Sequence, residues 1–201
     1  MARQSAERSC DAAAAPAHTD WLFHHLRIEG PAAALAAFRG AAAGAGIIPW
    51  HLDLDRVEED AFLRLAAPTG QPRTLSLAGA RILAAELRDA VARRHALAVD
   101  RVGRWKQCCF DLHALVPVPS EILRLGPDHP DAQAWLWAHW GTTDALRRVA
   151  LAPDRAASAS VETVLRISFW SADWTPWRAL ATLQERCAGL QFEVQPHYER
   201  T

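Results

Sequence analysis

Two strand-to-helix junctions, one near each end of the chain, constrain the fold more than any other sequence feature. At the first, Trp21–Glu29 is rich in large apolar residues in loose alternation, the pattern of a strand. Gly30 and Pro31 close it, and proline is well placed where a helix begins because its missing N–H would find no partner there. The helix that follows, over residues 32–43, puts Leu35 and Phe38 on its inner side and runs out at Gly40, Gly44 and Gly46. At the second junction a strand over residues 163–170 leads into a helix over 174–189, with Trp177, Leu180, Leu183 and Cys187 at helical spacing. Gln191–His197 is the closing strand, with Phe192 and Val194 turned inward.

One more strand completes the pattern. Residues 108–116 alternate, with Phe110, Leu112 and Ala114 on one face and Asp111, His113 and Leu115 on the other, until Pro117 and Pro119 end the run. The order strand, helix, strand, strand, helix, strand is the split βαβ plan. It predicts a ferredoxin-like α/β class, an α+β sandwich with two helices on a four-stranded antiparallel sheet. The 201 residues suit one such domain, taken as 21–201 behind a disordered tail of about 20 residues. Two insertions interrupt it, a mainly helical one over about 47–106 and another over about 120–160. In the first, Ser76 opens a long helix reaching Val99, with Leu83, Leu87, Val91 and Ala98 as its buried stripe.

The same residues carry a resemblance. Phe110-Asp111-Leu112-His113 leading to Val116-Pro117-Val118-Pro119-Ser120-Glu121-Ile122-Leu123 resembles a signature of the YubB ferredoxin-like family. Trp140-Gly141-Thr142, the aromatic strand and Pro-started helix from Ile167 to Pro176, and the ending from Phe192 to Glu199 are similar to further elements of that family. Thr143-Asp144 departs from the Lys-Trp that usually follows Trp-Gly-Thr there. The resemblance implies a bacterial accessory protein of plasmid or phage origin, with the same fold and no established activity.

Composition excludes several functions. Lys+Arg 22 against Asp+Glu 23 leaves no basic excess for non-specific DNA binding. No apolar run approaches a membrane span of ~20 residues, and the first 20 residues lack the apolar core of a signal peptide, so a cytoplasmic location is expected. Four cysteines, at 10, 108, 109 and 187, have neither disulfide-scaffold nor metal-cluster spacing. The acidic run Asp53, Asp55, Glu58, Glu59 and Asp60 lacks the glycine of a calcium loop and is taken as a solvated helix start. No nucleophile elbow and no paired-histidine metal helix occurs, so no catalytic residue, metal or cofactor is assigned.

The candidate site is the open face of the sheet. Alternation assigns to it His25 and Arg27 from the first strand and Asp111 and His113 from the second. Arg166 and Trp170 come from the third, with Glu29, Ser168, Glu193, Gln195 and His197 around them. Arginine pairs with phosphate and tryptophan stacks on bases, so this set suits a small anionic ligand, a nucleotide or a single strand. The alternative is that an insertion covers the face and pairs its charges. A weaker grouping, His113, His139 and Asp111 with Asp173, would require a loop to cross the second strand. Nine tryptophans against one tyrosine are read mainly as core, with Trp137 and Trp174 exposed. The sequence therefore supports a non-catalytic binding or interaction module with an unknown partner; an enzyme or a nucleic-acid binder using the open face is the competing reading.

Overall fold

The computed structural model describes residues 20–67, 75–152 and 164–197. The expected tail, the end of the second insertion and the Tyr198-Glu199 ending lie outside them. Along the chain run β1 (Trp21–Glu29), α1 (Ala32–Ala42), α2 (Leu54–Ala66), α3 (Leu77–Val99), α4 (Leu112–Leu115), α5 (Ser120–Leu123), α6 (Pro130–His139), β2 (Arg147–Leu151), β3 (Val164–Ala172), α7 (Trp177–Arg186) and β4 (Gln191–His197). The four strands form one antiparallel sheet in the order β2-β3-β1-β4. The architecture is α+β.

Alternation explains why β1 and β3 stand at the centre. His24, Leu26 and Ile28 of β1 and Leu165, Ile167 and Phe169 of β3 are buried on one face, where α1 contributes Leu35, Phe38 and Ala42 and α7 contributes Ala179, Leu180 and Leu183. Phe110 continues this core, its ring 5.8 Å from Phe169 and 6.3 Å from Phe38. Trp140 is fully buried and donates its indole N–H to the Val116 carbonyl at 2.9 Å.

The strand expected over residues 108–116 does not form. Cys108 makes one antiparallel bridge to Gly44, and the chain then turns. Asp111 causes the turn: its carboxylate accepts the N–H of His113 at 2.9 Å and that of Gly46 at 2.9 Å, capping α4 and pinning the segment beside the end of α1. A Cβ on Gly44 would collide with that carboxylate, so glycine is required by close approach. Phe110 and Leu112 are still buried, which is why the apolar rhythm imitates a strand. The remaining sheet strand is instead Arg147–Leu151, inside the stretch expected to be an insertion.

The long helix starts at Ser76 as expected, with its hydroxyl accepting from Gly79 N–H at 3.0 Å, but its buried stripe is rotated. Ala80 and Ala84 are the fully buried positions, while Leu83 and Leu87 are exposed. Small residues let α2 approach closely, and Arg88 reaches across to Glu58 at 2.6 Å. The acidic run is a helix start, with Asp53 accepting from Arg56 N–H at 3.0 Å. Among the described residues no helix is long and apolar enough to cross a membrane.

Candidate functional site

The sheet face away from α1 and α7 is built in cross-strand rows. Register aligns His197, Phe23, Trp170 and Arg147 in one row, Gln195, His25, Ser168 and Ala150 in the next, and Glu193, Arg27 and Arg166 in a third. His25, Arg166, Glu193, Gln195 and His197 are exposed, so no described segment roofs this face. It carries an aromatic band. The Phe23 ring lies 5.1 Å from Trp170 and 5.6 Å from His197, and His25 meets His197 edge-on at 4.7 Å. Trp170 itself is only 9% exposed, leaving Phe23 and the imidazoles as the accessible rings.

Its charges are largely balanced in place. Arg27 bonds to Glu29 beside it on β1 and to Glu193 across the strands at 3.5 Å. Arg147 pairs with Asp144 at 2.8 Å and lies over the Trp21 ring, 5.7 Å from its centroid. Of the six expected site residues, His25, Arg27, Arg166 and Trp170 therefore share the face. Asp111 and His113 do not. Asp111 is buried as a helix cap, and His113 is half-buried with Nδ1 accepting the Val118 N–H at 3.2 Å. Burial holds the His113 pKa below its usual value, against the opposing pull of Asp111.

The grouping of His113, His139, Asp111 and Asp173 does not converge either. His139 stacks on Trp135 at 4.2 Å, and Asp173 accepts the Thr143 hydroxyl. No group of three or more potential metal ligands occurs among the described residues. Burial pushes the Cys108 thiol up to about 11 and raises that of Cys109, which makes both poor nucleophiles. Trp137 and Trp174 are exposed as expected, and Trp177 is exposed as well, against the reading of the other tryptophans as mainly core.

His24, on the opposite face of β1 from His25, is absent from the expected site. The ring is fully buried, stacked 4.9 Å from Phe169, with Nε2 2.9 Å from the Thr175 hydroxyl and Nδ1 3.5 Å from that of Ser171. Ser171 in turn donates to the Trp174 carbonyl at 2.6 Å. Burial lowers the His24 pKa to about 4, with a backbone hydrogen bond to Leu22 opposing and His197 and His25 assisting. This network ties β1 and β3 to the start of α7. Its signal in the sequence was the place of His24 in the inward set with Leu26 and Ile28.

No family model matches the chain, and no curated protein matches it. Among solved structures it is similar to the crystal structure of a protein api92 from Yersinia pseudotuberculosis, described under the family model DUF1281. The TM-score is 0.47 at 13% identity, over 90% of this chain and 90% of that one.

Proposed function

We propose that this chain is a non-catalytic binding or interaction module on a ferredoxin-like plan, with the outer face of its sheet as the contact surface. The strand order and the strand–helix units at both ends support the split βαβ reading. The motifs around Val116–Leu123 and Trp140–Thr142 support a resemblance to the YubB ferredoxin-like family and, with it, a cytoplasmic accessory role on a mobile element. The observation that carries the functional reading is the outer face itself: roofed by no described segment, and banded by Phe23, His25 and His197 with Arg27 and Arg166 beside them. Such a surface suits a ligand that lies across it, and the exposed rings favour a single-stranded nucleic acid among anionic ligands.

Amide chemical-shift mapping tests this with two probes, a short oligothymidylate and a nucleoside triphosphate. Shifts confined to the outer face, with the probe recovered unchanged, are expected. Shifts centred on α1 or α7, or breakdown of the triphosphate, would overturn the reading. Silence with both probes would remove the anionic ligand and leave the face as a protein contact.

A further inference from the structure

The hairpin of α2 and α3 carries a second surface, independent of the sheet. On α3 the flank beside the buried alanines exposes Leu83 at 38%, Leu87 at 45% and Leu97 at 64%, with Ile82 exposed further round the helix. Leu83, Glu86, Leu87, Ala90, Arg93, Arg94 and Leu97 recur at intervals of three and four, so they form one stripe along a 23-residue helix about 34 Å long. A depression of about 480 Å³ is bordered by Leu83, Glu86, Leu87, Asp89 and Arg93.

The stripe is arranged symmetrically around Ala90. Seven residues to either side stand Leu83 and Leu97; four residues to either side stand Glu86 and Arg94; three to either side stand Leu87 and Arg93. Glu86 and Arg94 are exposed, and neither forms an ion pair among the described residues. Eight positions separate them, about 12 Å along the axis, which is too far to pair with each other on one helix. A second α3 laid antiparallel, related by a two-fold axis at Ala90, meets both requirements at once. Each Leu83 then faces a Leu97, each Glu86 faces an Arg94, and each Leu87 lies along the aliphatic stem of an Arg93. The alanine at the crossing leaves room for the axes to approach.

We infer that α3 is the surface through which two copies of this chain pair, with the Glu86–Arg94 contacts fixing the antiparallel register. A different protein could cover the leucines, but only a second copy supplies the mirrored charge order from this same stripe. An interface of one helix per copy is small, so the pair is expected to form and dissociate readily.

Sedimentation velocity on the full chain from about 1 to 200 µM tests this. The weight-average mass is expected to rise from 22.1 kDa toward twice that value. Glu86→Arg and Arg94→Glu should each weaken association about 10-fold or more, and the double exchange should recover it to within about 3-fold of wild type. Leu97→Asp should abolish it. Helical circular dichroism should stay unchanged in every variant, because all three positions are exposed. A monomer throughout that range would overturn the inference. So would association that the single charge reversals leave intact or that the double exchange fails to restore.

Discussion

His24 makes folding sensitive to acid. Its ring is neutral in the folded chain and satisfied by Thr175, whereas in the unfolded chain it regains the ordinary histidine value. A folded pKa near 4 against an unfolded one near 6.5 means the contribution is complete above pH 6.5. It is lost as pH falls from 6.5 toward 4, because the unfolded state then binds a proton that the folded state refuses. The loss is about 3 kcal/mol, and His113, also lowered by burial, adds to it with the same sign. Carboxylates titrate in part of that window, so the useful measurement is a difference. Urea unfolding of wild type and His24→Asn at pH 7 and pH 4 should show a smaller acid loss in the variant. Equal losses would mean that the ring protonates freely in the folded protein.

Among the elements, legibility tracked how many neighbours decide a segment's state. β1 and β4 were readable to the residue, and β3 nearly so, because each alternates against one helical layer and a one-residue slip would turn its apolar set outward. Residues 108–116 have the same apolar rhythm, yet a single side chain redirects them. Asp111 satisfies two backbone N–H groups, one of them 65 residues away at Gly46, and no local pattern shows that partner. β2 was missed for the opposite reason. It is a short edge strand with only Val149 partly buried, and Arg147 and Arg148 give it the charged surface that guards a sheet edge. The face of α3 was misjudged because leucine outranks alanine on any hydropathy scale, although packing against α2 selected the smaller residue. The candidate site divided along the same line: four of its six residues lay on strands read correctly, and Asp111 and His113 fell with the misread one. Asp111→Ala leaves two N–H groups without their acceptor and should cost about 2–4 kcal/mol in urea unfolding. A loss below about 0.5 kcal/mol would mean that the turn at Gly44–Gly46 holds itself.

Across the whole molecule, the core and the proposed contact surface occupy opposite faces of one sheet, and substitutions should separate them. Phe169 is fully enclosed between His24 and Phe110, so truncation to alanine opens a cavity in the centre of the core and should cost about 3–5 kcal/mol. Arg27 lies directly across the sheet thickness from that core, but it and its partners Glu29 and Glu193 are substantially exposed. Water resolvates the carboxylates when the guanidinium is removed, so Arg27→Ala should change stability by no more than about 1 kcal/mol. Had the face been roofed, the same substitution would have stranded two buried charges and cost several kcal/mol. Urea denaturation of the two variants beside wild type therefore measures how closed each face is. A loss above about 3 kcal/mol for Arg27→Ala would show that the outer face is covered in the folded chain, and the sheet could then no longer serve as the binding surface.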